Sequence, residues 1–269
     1  MANTHAGGHA GHPYHLVSPS PWPALGMLTA GALTGGFILG ARTGQWWLLI
    51  IGGALAFTTM FFWWRDVVRE GTFEGHHTPV VRRGLRFGMA LFIASEVMFF
   101  AAFFWAFFNA SIMPAEVIGG VWPPEGMTTF EPWDIPLVNT IILLSSGATV
   151  TWAHHEVRHS RNLRAGWALV LTVALGISFT LLQIYEYNHA PFGFREGILP
   201  TTFFLATGFH GFHVMVGTCF LIVCTFRAFR NHFKPDHHVG LEAAAWYWHF
   251  VDVVWLFLFS FVYVWGASE

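Results

Sequence analysis

The amino-acid sequence predicts an all-α membrane protein with seven transmembrane helices. Of its 269 residues, 54% are hydrophobic and only 10% are charged, whereas a soluble domain carries about 25% charged residues. The chain holds seven apolar stretches long enough to cross a hydrocarbon core, which takes roughly 20 residues. Its 29 Phe and 14 Trp residues supply more apolar surface than one core of this size can bury. The outside of the protein is therefore expected to face lipid.

The seven apolar stretches are separated by segments that contain Pro, Gly, charged residues or His. They lie at about 23–40, 46–64, 85–112, 136–155, 165–185, 200–226 and 241–265. The first stretch carries four glycines in overlapping small-xxx-small spacings, at Gly31, Gly35, Gly36 and Gly40. Such spacings suit close packing of two helices in lipid, and Gly52 and Gly53 in the second stretch offer a matching surface.

We interpret residues 1–269 as a single membrane domain. It comprises an N-terminal tail (1–22), helices one and two (23–64), a connecting loop (65–84) and helices three to seven (85–265). Gly71, Gly75 and Pro79 are expected to stop the second helix from continuing into this loop. The loop divides the first two helices from the remaining five.

Basic residues are distributed unevenly between the two ends of the predicted helices. Eleven of the 13 Lys and Arg residues fall on the side of the N-terminus, and the opposite side has only Arg42 and Arg195. The positive-inside rule then places the N-terminus in the bacterial cytoplasm or mitochondrial matrix and the C-terminus on the periplasmic or intermembrane side.

The net charge of -2 argues against a nucleic-acid partner. Cys219 and Cys224 lie in one apolar run and offer no framework for a disulfide.

Glu96 is a carboxyl group in an apolar stretch. It lies eleven residues into helix three, roughly 16 Å along the helix axis and close to the bilayer midplane. A charge there costs about 2.5–3.5 kcal/mol, so such a group is a functional candidate that is protonated or paired. The alternative is a neutral carboxyl that hydrogen-bonds a neighbouring helix.

A second set of polar residues falls at middle depths of helices six and seven, at His210, His213, His249 and Asp252. Imidazole and carboxylate groups one turn apart would suit zinc, iron or copper. A buried polar cluster whose members pair with one another or with backbone carbonyls is the interpretation we favour, and no metal site is assigned.

Aromatic and basic residues meet at the predicted membrane interface. Trp63 and Trp64 precede Arg65 and Arg69, which combines an aromatic belt with phosphate-pairing guanidinium groups. A tightly held phospholipid and ordinary interfacial anchoring both remain open. Adjacent histidines also occur at three span ends, at His76 and His77, His154 and His155, and His237 and His238. Because neighbours point to different helix faces, each pair is a poor bidentate ligand and a good headgroup partner.

Long strings throughout the chain resemble subunit III of the haem-copper cytochrome c oxidases. They are HPYHLVSPSPWP from His12, WWRDVVREGTFEGHHTPVV from Trp63, GLRFGMALFIASEVMFFAAFFWAFF from Gly84, WPPEG from Trp122, TWAHHEV from Thr151, TLLQIYEY from Thr180, TTFFLATGFHGFHVMVGTCFLIVCTFR from Thr201 and EAAAWYWHFVDVVWLFLFSFVYVWG from Glu242. The resemblance implies that the first two helices splay from the other five and leave a V-shaped cleft that holds structural phospholipids. It also implies that subunit I, the main contact, holds the haems and catalytic copper, that subunit II holds the copper receiving electrons, and that small accessory subunits are further partners.

The same resemblance implies roles for single residues. Glu96 stands at the family's carbodiimide-reactive membrane carboxyl, Arg69 and His77 align with positions that contact cleft lipid, and Arg227 and Arg230 fall in the basic stretch after helix six. Such a subunit has no catalytic residues and binds no redox centre of its own. It sustains proton uptake into subunit I, protects the active site during turnover and offers oxygen a path through its lipid.

Two other function classes remain as alternatives. An intramembrane metalloenzyme would use His210 and His249 as ligands, and would be coloured or metal-dependent in isolation. A proton-coupled transporter would use Glu96 as its relay, but the sequence has neither paired broken helices nor inverted halves.

Overall fold

The computed structural model describes residues 14–16 and 19–266, and within them it contains seven helices long and apolar enough to span a membrane. The helices are α1 (Trp22–Thr43), α2 (Trp47–Thr72), α3 (Pro79–Ile112), α4 (Ile135–Arg158), α5 (Asn162–Asn188), α6 (Ile198–Phe229) and α7 (Val239–Phe257). A single 3₁₀ turn, Glu116–Ile118, follows α3, and wider π-helical turns continue α7 over Leu258–Trp265. The all-α membrane fold with seven spans is confirmed. Most of the predicted tail, residues 1–13 and 17–18, lies outside the described residues.

The predicted connecting loop at 65–84 is wrong in its bounds. The second helix runs through Arg65, Arg69 and Gly71 to Thr72, and α3 already begins at Pro79, so the connection spans only 73–78. Gly71 does not end the helix and lies in its last turn. The His77 ring packs against it in the space that a Cβ atom would need. Pro79 starts a helix instead of breaking one, since proline is favoured in a first turn, where its missing N–H costs nothing. The Thr78 hydroxyl accepts a 3.4 Å hydrogen bond from the Val81 N–H, as a capping residue does.

The described residues divide into two compact units, one that ends at Leu85 and one that begins at Arg86. In the first unit, α1 and α2 pack through glycine, as the spacing predicts. A methyl group on Gly36 would overlap the backbone at Leu48 and Leu49, and one on Gly52 would come within 2.9 Å of the Ala32–Leu33 backbone. The single-domain interpretation and the V-shaped cleft stay predictions.

In the second unit, a core of apolar side chains lies among α4, α5, α6 and α7, and polar groups inside it pair between helices. The Trp248 indole N–H donates to Ser146 at 2.8 Å, and the Trp255 indole N–H donates to Thr140 at 2.9 Å. Large hydrophobic side chains cover the outer faces of the spans, Phe57, Trp105 and Leu181 among them. This surface is suited to lipid and not to water.

Candidate functional site

The predicted membrane carboxyl is paired with a histidine of another helix. Glu96 on α3 places Oε2 2.9 Å from Nε2 of His213 on α6, with side chains 20% and 8% exposed. Aromatic rings surround the pair, with Phe100 centred 4.9 Å and Phe99 5.9 Å from the imidazole ring centre. Such pairing resolves the cost of a lone carboxylate at this depth.

The hydrogen bonds of His213 determine how many protons the pair holds. Its Nδ1 lies 2.7 Å from the Phe209 carbonyl oxygen, which can only accept, so Nδ1 carries a hydrogen. One further proton must then lie between Nε2 and the Glu96 carboxyl. The pair therefore holds one shared proton, either as carboxylic acid with neutral imidazole or as carboxylate with imidazolium.

His210, one turn before His213, makes a different contact. It is fully buried, and its Nε2 donates to the Val251 carbonyl oxygen at 3.2 Å. The Trp255 ring centre is 5.2 Å away, and Phe179 meets the imidazole edge to face. His210 is thus held by packing and one backbone bond inside the helix bundle.

His249 and Asp252 form a third, separate pair. Nδ1 of His249 lies 3.4 Å from Oδ2 of Asp252, and Nε2 lies 3.1 Å from the Thr151 hydroxyl. The predicted pairing with one another or with backbone carbonyls is seen at His249–Asp252 and at His210, whereas His213 pairs with Glu96, which was not included in the predicted cluster. The His249 side chain is also 45% exposed, so it is not a buried member of such a cluster.

The aromatic and basic residues predicted to lie at the membrane interface, from Trp63 to Arg69, are joined by contacts with one another and with α1. Trp64 is 60% exposed, and Arg65 stacks on Phe62 with its guanidinium carbon 4.9 Å from the ring centre. Asp66 accepts a 2.7 Å hydrogen bond from the Trp22 indole N–H and pairs with Arg65 at 3.1 Å. These contacts connect the end of α2 to the start of α1.

The predicted lipid contact Arg69 lies in the last turn of α2, and His77 lies in the connection between α2 and α3. Arg69 is 70% exposed and its Nε lies 2.9 Å from Glu74 Oε1, so an internal carboxylate partly neutralises its charge. His77 packs on Gly71, and its carbonyl oxygen accepts a 3.2 Å bond from Arg82. The acidic partner Glu74 was not foreseen from the sequence.

The predicted contacts Arg227 and Arg230 differ in their surroundings. Arg227 is half-buried, with its guanidinium carbon 4.6 Å from the Phe233 ring centre, whereas Arg230 is exposed at the end of α6. Partial burial, followed by the positive charges of Arg227 and Arg230, lowers the pKa of His232 below its ordinary value. This short connection therefore favours neutral histidine beside two guanidinium groups.

Sequence reasoning missed one polar centre in the second unit. Glu242 receives two bonds from Arg86, Nε to Oε2 at 2.6 Å and Nη2 to Oε1 at 3.0 Å. His238 lies 3.4 Å from the same carboxylate, and His154 lies 3.2 Å from His238. The sequence signal was the presence of two His pairs at span ends, His154–His155 and His237–His238. Their positions in the sequence do not reveal that His154 contacts His238.

The chain is similar to known proteins over nearly its whole length. Residues 12–267 match the family described as Cytochrome c oxidase subunit III. A cytochrome c oxidase subunit 3 from Marchantia polymorpha is 58% identical over 96% of this chain and 98% of that protein. Those of Gadus morhua and Arabidopsis thaliana are 53% and 58% identical, over 96% and 95% of this chain and 99% and 97% of theirs.

Proposed function

Since the chain belongs to the cytochrome c oxidase subunit III family, we propose that it is the non-catalytic, phospholipid-binding subunit of its oxidase. It is a multi-pass membrane protein that acts with other subunits in the respiratory chain. In this proposal, the chain packs mainly against subunit I and also contacts subunit II. The membrane is the bacterial cytoplasmic or mitochondrial inner membrane, with the N-terminus inside.

The exposed guanidinium group of Arg69, in a helix end that also exposes Trp64, is the observation that carries the lipid assignment. A guanidinium group at the headgroup level can pair with a phosphate in bidentate geometry, while the indole ring lies at the glycerol depth. Glu74 beside Arg69 leaves the local charge close to balanced, which favours a headgroup that carries both signs. His77, Arg227 and Arg230 are the further headgroup contacts in this proposal.

The electron chemistry lies in the partner subunits in this proposal, with haems and copper in subunit I and a second copper centre in subunit II. The paired carboxyl of Glu96 supports no redox role, because carboxyl and imidazole share a proton and need no metal to satisfy them. Bound lipid and the apolar flank would keep subunit I stable in turnover, sustain its proton uptake and offer oxygen a hydrocarbon route.

The test is the phospholipid content and working life of the purified oxidase complex. We expect Arg69→Ala to lower copurified phospholipid and to shorten the time for which the enzyme turns over, because a basic residue near a headgroup contributes about 1 kcal/mol of binding. Arg69→Lys keeps the charge and should retain most of the lipid. Arg42→Ala is the matched control, because Arg42 lies in the last turn of α1, at the opposite end of the α1–α2 pair from Arg69. Unchanged lipid and lifetime in Arg69→Ala would reject the lipid role.

A further inference from the structure

The polar centre around Glu242 contains a compact group of metal-ligating side chains, to which no function has been assigned above. His154 is in the last turns of α4, His238 immediately precedes α7, and Glu242 is in the first turn of α7. One donor atom from each residue can be chosen so that all three lie within 4.8 Å of one another. Within the part of the chain that the structure describes, no other three His, Cys, Asp or Glu residues meet this criterion.

Two of the three spacings between donor atoms match those around one small cation, and the third is within 4.8 Å. Nε2 of His154 lies 3.2 Å from Nε2 of His238, and the latter lies 3.4 Å from Oε1 of Glu242. In a tetrahedral site with zinc–ligand distances of about 2.0–2.1 Å, neighbouring ligand atoms are roughly 3.3 Å apart. Two imidazoles with one carboxylate form a common donor set for zinc, and the fourth position remains for water.

The tautomer of His238 leaves its Nε2 available as a metal ligand. Its Nδ1 lies 2.8 Å from the Lys234 carbonyl oxygen, so Nδ1 donates its hydrogen there. In the neutral ring, Nε2 then carries a lone pair that faces both Nε2 of His154 and Oε1 of Glu242. That lone pair can accept a hydrogen bond from the His154 ring or bind a metal ion held by all three residues.

The surroundings of the three donors have the form expected around a ligand set. The Lys234 carbonyl fixes the ring orientation of His238, and Arg86 holds Glu242 through both carboxylate oxygens. Ligating histidines and carboxylates are characteristically oriented by such outer hydrogen bonds. The positive charges of Arg86 and Arg158, which is one turn after His154, weaken the attraction for a cation and predict modest affinity.

We propose that His154, His238 and Glu242 form a zinc-type divalent cation site that links the end of α4 to the start of α7. The ion acts structurally, because it connects two helices through their ends and is separate from the Glu96–His213 pair. This inference departs from the expectation that the chain carries no metal, and it does not depend on the lipid-binding proposal.

The test is the zinc content of the complete oxidase complex. The complex would be stripped with a chelator and dialysed to equilibrium against a fixed concentration of free zinc at neutral pH, and the bound zinc per complex would be measured by mass spectrometry as the excess over the dialysis buffer. We expect the wild type to hold one zinc more than His238→Gln and than Glu242→Gln. His155→Gln is the matched control, because His155 is exposed on the same helix end and lies outside the donor group. The control should keep the wild-type zinc content.

Equal zinc content in the wild type and His238→Gln would overturn the proposal and leave a proton as the occupant. Where a variant fails to assemble, zinc anomalous diffraction from wild-type crystals gives the answer without a mutation. A peak among the three donor atoms is expected, and a crystal loaded at neutral pH without that peak would equally overturn the site.

Discussion

At the residue scale, the Glu96–His213 contact shows how a carboxyl is tolerated in the middle of a span. The shared proton gives each group a partner, and the aromatic rings around the imidazole exclude water from one side. A pair of this kind can pass between neutral and ionic forms by moving one proton along one hydrogen bond. It does not need a second titratable group to do so.

The proton count makes the outcome of two substitutions differ. Glu96→Gln offers an amide N–H to Nε2 of His213, so we expect the free energy of unfolding to change by less than about 1 kcal/mol. Glu96→Ala leaves Nε2 without its partner, which costs about 1–3 kcal/mol for a buried polar group. The thermal unfolding midpoint of the purified complex measures both. Glu125→Ala, in an exposed loop, serves as control, and equal midpoints for Gln and Ala at position 96 would contradict the pairing.

Single residues could be selected from the sequence, whereas their partners could not. Glu96 stands out because a carboxyl in an apolar run is costly, and His213 because it is polar at mid-depth. Which of His210 and His213 faces Glu96 depends on the rotation of α6 about its axis relative to α3. That rotation follows from side-chain packing along the entire helix, and no local pattern reports it.

At the element scale, glycine decides where α1 and α2 approach each other. Gly36 and Gly52 are buried against the backbone of the partner helix, whereas Gly31 and Gly53 have no neighbour within 4 Å of an added methyl group. The sequence spacing predicted a glycine-rich contact and included both kinds. Spacing alone does not distinguish the buried glycines from the exposed ones, because two crossing helices are in contact over only part of their glycine-rich faces.

This difference provides a matched set of substitutions. Gly36→Ala and Gly52→Ala would force the helices apart, and overpacking of this kind costs about 1–3 kcal/mol. Gly31→Ala and Gly53→Ala should leave stability unchanged or raise it, because alanine favours a helix over glycine by about 1 kcal/mol. The unfolding midpoint of the complex in detergent distinguishes the two sets. Equal losses for all four would show that the contact at Gly36 does not determine the α1–α2 packing.

The connection between α2 and α3 shows a limit of local signals. Gly71, Gly75 and Pro79 suggest a long loop, yet two of the three lie inside helices. Glycine costs less in a helix when a neighbouring ring needs the space, and proline at a first helical position has no bond to lose. The same residue types therefore break or begin a helix according to tertiary contacts beyond their own segment.

At the scale of the whole molecule, composition determines more than any motif does. A chain with 10% charged residues and seven long apolar helices exposes a mainly apolar outer surface, and such a surface is suited to lipid. If all seven helices cross the membrane, their odd number predicts that the ends of the described chain lie on opposite sides. The side that each loop occupies follows from the distribution of Lys and Arg, which is a property of the entire chain and not of one helix.

The orientation can be measured with two exposed loop residues in a Cys219→Ser background, which removes the exposed native cysteine. Glu125 lies between α3 and α4, and Lys234 lies between α6 and α7. An impermeant maleimide added to intact bacterial cells or to mitoplasts should label Glu125→Cys at once and should label Lys234→Cys only after the membrane is opened. The reason is that the positive-inside rule places the side with eleven of the 13 basic residues in the cytoplasm or matrix. The reverse order of labelling would mean that the K/R bias does not set this topology, and the headgroup contacts proposed for Arg69 and Arg227 would then lie in the outer leaflet.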